Sequence, residues 1–283
     1  MIFPGVLLKQ HGLRASKRKG QNFLTQPATA KAIALSACIQ PEDTVLEIGA
    51  GLGALTLAVA SMAKKVVAVE VDRGIFPVLQ GILADEGAEN VEPILQDALE
   101  LDLVEMAREN GSRFVVVGNL PYSVSSPILF KFLDNLSAWR SATLMVQKEV
   151  ADRLVSAPGN KDYGRMSVLI QTWCKTGHAL TVGPDQFFPK PAVASSVVHL
   201  VPREENLARV GSSEEAAWFK GVVKAAFGQR RKTLLNSLSN GLGLEKAKVS
   251  FSLESIGIAP SARAETLTPE MFADLARALA DQA

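Results

Sequence analysis

With 283 residues and 47% apolar content, the chain is long enough for one large domain or for a large domain with a small one, which excludes a disordered protein. It has no apolar run of about 18 residues, and its first ten residues are too short for a signal peptide, so we expect a cytoplasmic protein without membrane contact. Cys38 and Cys174 lie far apart, without a CxxC pair or partner histidines, and support neither a disulfide framework nor a zinc site. We interpret both as small core residues.

The net charge of +1 is unevenly distributed. Segments 9–20 and 224–232 hold five and four basic residues and no acidic residue, so the rest of the chain carries a net charge of −8. This pattern predicts a local phosphate-binding surface on an otherwise repulsive body, although a solvated face and a frayed N-terminus are the alternative. The candidate nucleic-acid contacts are Lys17, Arg18, Lys19, Arg230, Arg231 and Lys232.

After the basic leader, the sequence predicts a helix from about Ala28 to Cys38, with Pro27 at its start. Asn22 and Leu24 precede the first predicted strand. They are candidates for a lid that folds over a ligand, or else for an ordinary N-terminal arm.

A glycine-rich turn follows the predicted strand Thr44–Ile48 and precedes a helix predicted over 54–62. Glycines there permit a tight turn and let backbone N–H groups approach a ligand. The pattern also satisfies the dinucleotide GxGxxG/A fingerprint, with Ala54 last, so it does not choose a cofactor by itself. Glu47 places a carboxylate beside this pocket, where it would attract a cationic ligand end and repel a pyrophosphate. The glycines are Gly49, Gly51 and Gly53.

Two further predicted strands, Lys65–Val69 and Val91–Leu95, are separated by a helix predicted over 73–83, and carboxylates follow both. Glu70 is placed to accept both ribose hydroxyls of an adenosine cofactor. Asp97 is a candidate acceptor for the adenine amine, or a cap or turn residue.

The centre of the predicted chemistry is the turn after the strand Phe114–Val117. Pro121 lacks an amide hydrogen and cannot continue the sheet ladder, so Asn119 and Tyr122 project past the strand end, where ligands bind in open α/β sheets. The Asn119 side-chain oxygen and a nearby backbone carbonyl match the two N–H bonds of an exocyclic amine such as that of adenine. Tyr122 can stack on the same base. Alternatively, these residues only shape a turn.

Helices are predicted over 126–135, from Lys148 and over 165–173, and a strand over 142–147. Strands over 175–182 and 195–201 are predicted to pair antiparallel around a loop whose exposed aromatics, Phe187 and Phe188, grip a flipped base opposite Tyr122; at least one of the two can instead be a core residue. Beyond about residue 205 only helical patterns appear. We therefore predict domains over 1–204 and 205–283.

The motifs together resemble the small-subunit rRNA adenine dimethyltransferase family of the KsgA type, a class I methyltransferase. The resemblance runs nearly end to end, and several collinear motifs carry it: Gly20–Leu24 (GQNFL), Val45–Gly53 (VLEIGAGLG), Glu70, Asp97, Gly118–Tyr122 (GNLPY), Tyr163–Ser167 (YGRMS), Phe187–Pro191 (FFPKP), Phe227–Leu234 (FGQRRKTL) and Arg263–Leu267 (RAETL).

This resemblance implies a Rossmann-like, mostly parallel seven-stranded α/β sheet with a late antiparallel strand, plus a small C-terminal all-helical domain that contacts RNA or the ribosome. It implies that S-adenosylmethionine is the cofactor and that two adjacent adenosines near the 3′ end of small-subunit rRNA are dimethylated. The expected partner is a partly assembled small ribosomal subunit, and the expected state is a monomer. The implied cofactor-binding residues are Asn22, Leu24, Gly49, Gly51, Glu70, Asp97 and Asn119; the candidate catalytic residues are Asn119, Pro121, Tyr122, Phe187 and Phe188. No metal is expected.

Three alternatives remain open from the sequence. A sister family that modifies a large-subunit adenine and gives antibiotic resistance shares the turn but resembles the C-terminal motifs less. An NAD-dependent oxidoreductase depends on the glycine pattern alone, since no histidine stands near an early strand end. A non-catalytic ribosome-assembly factor is the third alternative.

Overall fold

The computed structural model describes residues 2–16, 19–121, 124–229, 231–280 and 282. The chain forms two compact units. The first comprises Met1–Ala151 and Gly177–Pro202, and the second comprises Asp152–Thr176 and Arg203–Ala283. Among the described residues, no helix is both long and apolar enough to cross a bilayer.

The first unit is built on a sheet. The strands of the described residues are β1 Phe23–Leu24, β2 Thr44–Ile48, β3 Lys65–Glu70, β4 Val91–Leu95, β5 Phe114–Asn119, β6 Trp139–Gln147, β7 Cys174–Val182, β8 Phe187–Phe188 and β9 Ser195–Pro202. Seven of them form one sheet in the order β4-β3-β2-β5-β6-β9-β7, and β1 pairs with β8 separately. Neighbours from β4 to β6 are parallel, whereas β9 is antiparallel to β6. This confirms the predicted mostly parallel sheet with a late antiparallel strand.

Helices cover the sheet, which explains why β2 and β5 are buried along almost their whole length. Ile33 and Val59, on two of these helices, lie in one buried cluster with Val45 and Val115 of the sheet. The helices that begin in this unit are α1 Pro4–Gln10, α2 Pro27–Ser36, α3 Ala54–Ala60, α4 Ile75–Asp85, α5 Leu103–Glu109, α6 Ser125–Asp134 and α7 Lys148–Val155.

The second unit is helical over most of its length: α8 Arg165–Trp173, α9 Ser213–Ala226, α10 Leu234–Leu242, α11 Lys246–Ser255 and α12 Pro269–Ala280. The residues of this unit differ from those of the predicted domain 205–283, because the second unit also includes segment 152–176. The reason is packing: the rings of Trp173 and Phe219 meet edge to face at 5.5 Å, and the buried Tyr163 hydroxyl donates to the Leu267 carbonyl at 2.9 Å.

The two cysteines differ in burial. Cys174 is buried, as predicted, but the prediction of a core position for Cys38 is wrong because its side chain is exposed. Cys38 follows the end of α2 and adopts a left-handed backbone conformation with φ of 51°.

The strand order places β5 directly beside β2, with Gly118 opposite Ile48. A Cβ atom on Gly118 would stand 2.7 Å from the Ile48 carbonyl oxygen. Only glycine therefore lets the two strands keep this spacing where they end. As a result, the turns that follow β2 and β5 emerge side by side.

We expect Gly118→Ala to lower the free energy of unfolding by about 1–3 kcal/mol, since the two strands must shift to admit the methyl group. Gly221→Ala is a matched control in the interior of α9, where an added Cβ meets no heavy atom within 4 Å. That variant should instead be stabilised by roughly 0.5–1 kcal/mol, because alanine is favoured over glycine inside a helix. Urea unfolding measures both, and equal effects in the two variants would contradict the close strand contact.

Candidate functional site

A cavity of about 270 Å³ opens where β2, β3 and β5 end in the first unit. The segment 19–24 and helices α1, α3 and α4 form its other walls. Seven of the residues predicted for the site line it, and they come from four separate parts of the sequence: Asn22, Leu24, Gly49, Gly51, Glu70, Asn119 and Pro121.

The glycine-rich turn forms the wall next to the Asn119 turn. Gly49, Gly51 and Gly53 have φ angles of 77°, 58° and 79°, a left-handed conformation that strains other residues. A Cβ atom on Gly49 would lie 3.4 Å from the Asn119 backbone oxygen. The glycine-rich turn and the Asn119 turn therefore lie so close together that a side chain at position 49 would touch Asn119.

Glu47 lies in the cavity wall and is only 1% exposed. Neither of its carboxylate oxygens has a hydrogen-bond partner among the described residues. Burial raises the pKa of Glu47 to about 7; the nearby Thr56 hydroxyl opposes that rise, and the negative charge of Glu70 adds to it. A buried carboxyl group in a cavity wall with free oxygens is able to accept a hydrogen bond or pair with a charge of a bound ligand.

Glu70 is also buried but well satisfied. Its carboxylate accepts backbone N–H groups from Gly51 at 2.8 Å, Val71 at 2.9 Å and Asp72 at 2.8 Å. Burial nevertheless raises its pKa above the ordinary value. These bonds hold the glycine-rich turn against the end of β3 and leave room for about one further donor on the carboxylate.

Asn119 is oriented by the N-terminal arm. Its side-chain nitrogen donates to the Asn22 carbonyl at 2.9 Å, and its side-chain oxygen has no partner among the described residues. The Pro121 carbonyl accepts the Val124 N–H at 3.1 Å and retains a second lone pair. The turn thus presents two available acceptors at the cavity, while Tyr122 lies outside the described residues.

Phe187 and Phe188 separate in the structure. They pair with Leu24 and Phe23 across β8 and β1, and successive residues of a strand point to opposite faces. Phe187 is only 4% exposed and packs in the sheet core, so it is the core residue of the pair, which the sequence had left open as an alternative to an exposed ring. Phe188 is partly exposed and remains available to a ligand.

Asp97 does not line the cavity. Its carboxylate accepts the Leu99 N–H at 2.9 Å and begins a short helical turn, which is the capping arrangement that the sequence left open.

The basic residues selected from the sequence have different surroundings. Lys19 lines the cavity, and its ammonium group forms an ion pair with Asp72 Oδ2 at 2.9 Å. The Gln21 side-chain nitrogen donates to the same oxygen at 2.7 Å. Arg231 and Lys232 of the second unit are exposed. Lys17, Arg18 and Arg230 lie outside the described residues.

The sequence interpretation missed helix α1, which contributes Pro4 and Leu7 to the cavity wall. A signal was present, since Pro4 suits the first helical turn and the apolar residues Pro4, Leu7 and Leu8 recur at helical spacing. Val71, directly after Glu70, also lines the cavity and was not selected.

Comparisons with known proteins agree along almost the whole chain. The sequence model of a family described as ribosomal RNA adenine dimethylase matches residues 12–281. A protein of Desulforapulum autotrophicum named "Ribosomal RNA small subunit methyltransferase A" is 43% identical, covering 99% of this chain and 97% of its own. A protein of the same name from Geobacter metallireducens is also 43% identical, covering 96% and 98%.

Two solved structures share the fold. A dimethyladenosine transferase from Plasmodium falciparum has a TM-score of 0.76 and 26% identity, covering 89% of this chain and 95% of its own. The 23S rRNA methyltransferase ErmE has a TM-score of 0.68 and 26% identity, covering 92% and 100%. These neighbours confirm the predicted class I methyltransferase fold.

Proposed function

Because this chain belongs to the ribosomal RNA adenine dimethylase family, we propose that it uses S-adenosylmethionine to dimethylate two adjacent adenosines near the 3′ end of small-subunit rRNA. The observation that carries the proposal is that the glycine-rich turn and the Asn119 turn lie next to each other, with Asn119 and Pro121 lining the same cavity.

The choice of small-subunit rRNA is supported by the relatives. Proteins named for the small subunit are 43% identical over nearly the full length, whereas the 23S rRNA methyltransferase ErmE is 26% identical. Membership in the family also removes the basis for the NAD-dependent oxidoreductase, which depended on the glycine pattern alone.

The cavity fits S-adenosylmethionine. The partnerless carboxyl group of Glu47 suits a cationic ligand end, and the left-handed conformation at Gly49 and Gly51 brings the backbone of the glycine-rich turn to the cavity. When bound, this cofactor supplies an electrophilic methyl group on a positively charged sulfur. We assign cofactor binding to six residues that line the cavity: Asn22, Leu24, Gly49, Gly51, Glu70 and Asn119. Asp97 does not line the cavity, so its assignment as a cofactor-binding residue depends on the family resemblance alone.

In the reaction that we propose, the adenine amine donates two hydrogen bonds. The Asn119 side-chain oxygen accepts one of them, and the Pro121 carbonyl accepts the other. This contact pyramidalises the nitrogen and recovers its lone pair from the ring, so no strong base is needed. Phe188 and Tyr122 hold the flipped base, while Phe187 anchors β8 in the core of the sheet. Positioning supplies most of the rate acceleration. After the first transfer the methylated nitrogen releases one proton to water and one N–H remains, so one acceptor then suffices.

We further propose that the basic residues of the N-terminal segment 9–20 and of segment 230–232 bind RNA phosphates. These residues are Lys17, Arg18, Lys19, Arg230, Arg231 and Lys232. Lys19 also stabilises the arm through Asp72, so its contribution is partly structural. The helical residues 205–283 would contact rRNA in a partly assembled small subunit, and the protein would act as a cytoplasmic monomer.

Mass spectrometry of rRNA nucleosides tests this function. Small-subunit rRNA from cells that lack the protein should lack N6,N6-dimethyladenosine at two adjacent positions. Adding the purified protein and S-adenosylmethionine to such subunits should restore it. Transfer to large-subunit rRNA instead, or normal dimethylation in the deletion strain, would refute the proposal, and normal subunit maturation with an inactive Asn119 variant would favour an assembly factor.

A further inference from the structure

Helix α1 presents apolar side chains to solvent beside the proposed base-binding ring. Phe3 and Val6 are each 49% exposed. Together with Gly5, Lys9, Gln10 and Phe188 they line a shallow groove on the outer side of the helix. We call Phe3, Val6, Lys9 and Phe188 the α1 platform.

The platform is held together by specific contacts. The rings of Phe3 and Phe188 meet edge to face, with centroids 5.3 Å apart. A Cβ atom on Gly5 would lie 2.9 Å from the tip of the Phe188 ring, so glycine lets the helix backbone approach that ring closely. On the opposite side of α1, Leu7 and Leu8 are buried in a cluster with Phe23. The exposed aromatic surface is therefore supported from below.

The charge of this part of the chain favours a polyanion. The first acidic residue in the sequence is Glu42, and six basic residues precede it. Lys9, at the end of the platform, has no ion pair or side-chain hydrogen bond among the described residues. An aromatic surface next to a free ammonium group is the arrangement that binds single-stranded nucleic acid, where bases stack and cations contact phosphates.

We propose that the α1 platform binds a nucleotide of the RNA strand beside the target adenosine, with its base on Phe3 and Val6 and its phosphate at Lys9. This inference depends on the proposed function, because it takes Phe188 as a contact of the target base. The platform then continues the path of the strand away from the cavity.

The size of the surface favours a nucleotide over a protein partner. A stable protein interface takes about 800 Å² from each partner, far more than two or three apolar side chains supply. One base, in contrast, is matched by one aromatic ring and its neighbour.

We expect Phe3→Ala to weaken binding of unmethylated small subunits, isolated from cells lacking the protein, by about 5- to 150-fold, the range for removing one stacked base. Phe3→Trp should bind like the wild type, whereas Phe3→Leu, which keeps the apolar contact but not the ring face, should bind weakly. Leu35→Ala, at a residue of α2 that is 57% exposed, is the control and should bind normally. Affinity for S-adenosylmethionine should be unchanged in all four variants.

A photocrosslink identifies the occupant. The full-length protein with p-benzoylphenylalanine at position 3 should crosslink to rRNA within a few nucleotides of the two adenosines, and the same group at position 35 should not. A crosslink to a ribosomal protein, or a loss of cofactor affinity that parallels the loss of subunit binding, would overturn the inference.

The two proposals fail in distinguishable ways. If the wild-type protein dimethylates small-subunit rRNA but Phe3→Ala binds subunits normally, only the platform is wrong. If the wild type transfers no methyl group to adenosine, the proposed function itself is wrong.

Discussion

Replacing Asn119 by alanine should lower the turnover number by roughly 10²- to 10³-fold, the range for losing a group that positions the reacting atoms. The loss is expected because the Asn119 oxygen is the side-chain acceptor that the Asn119 turn presents at the cavity. Affinity for S-adenosylmethionine should fall much less, since most of the cavity wall is unchanged. Single-turnover methyl transfer and equilibrium titration of the cofactor separate the two quantities.

Asn135→Ala is the matched control for that experiment. The Asn135 side-chain nitrogen also donates to a backbone carbonyl, that of Lys131 at 2.8 Å, but the residue lies away from the cavity. Its turnover should be close to that of the wild type. If Asn119→Ala lost cofactor affinity and turnover in equal measure, Asn119 would be a residue that shapes the cavity and not one that orients the amine.

Glu47→Gln should stabilise the free protein at pH 8 while it weakens cofactor binding. The pKa of Glu47 is about 7 in the folded protein and 4.5 ordinarily. Between these values the unfolded chain has lost the proton that the folded protein retains, so the stability of the free protein falls as the pH rises from 4.5 to 7 and stays low above 7. The pKa difference corresponds to about 3 kcal/mol.

Glutamine is neutral at every pH and nearly isosteric with the protonated acid, so the variant should gain up to about 3 kcal/mol at pH 8 and little at pH 5. Urea unfolding without cofactor at the two pH values measures the gain. The exposed Glu89 provides the control, and Glu89→Gln should show no such difference.

Cofactor affinity should change in the opposite direction to stability, because Glu47→Gln is expected to stabilise the free protein and to weaken the binding of the cofactor. The wild-type affinity should rise with pH through about 7, because the carboxylate attracts the cationic end of the cofactor only after it loses its proton. In Glu47→Gln the affinity should be lower by about 2 kcal/mol or more at pH 8, the range for removing one partner of a buried charge pair, and it should lose this pH dependence. An unchanged affinity would show that Glu47 does not face the cofactor.

The sequence predicted most of the sheet because strands β2, β3 and β5 are short, mostly apolar runs that end at glycine or at a carboxylate. Strands β2 and β4 begin and end where the sequence placed them, and β3 and β5 differ by one or two residues. The glycine-rich turn and the Asn119 turn were predictable for the same reason, since loops at the carboxyl ends of neighbouring parallel strands meet.

The errors have physical causes that a linear pattern does not contain. Residues 187 and 188 are both phenylalanine, so the sequence does not distinguish them. The pairing of β8 with β1 decides which of the two rings enters the core. The partnerless state of Glu47 depends on neighbours distant in sequence. Helix α1 was missed because its signal, Pro4 and the helical spacing of the apolar residues, covers only seven residues, and a helix this short depends on the packing of Leu7 and Leu8 for its stability.

The path of the chain has a consequence for the exchange of parts between related proteins. The polypeptide passes from one compact unit to the other three times, because 152–176 belongs with the C-terminal helices. A fragment beginning at 205 would leave Phe219 without Trp173 and Leu267 without the Tyr163 hydroxyl. Recombination at a single junction therefore cannot exchange the second unit alone: a junction at 205 leaves segment 152–176 behind, and a junction at 152 also carries segment 177–202 of the first unit.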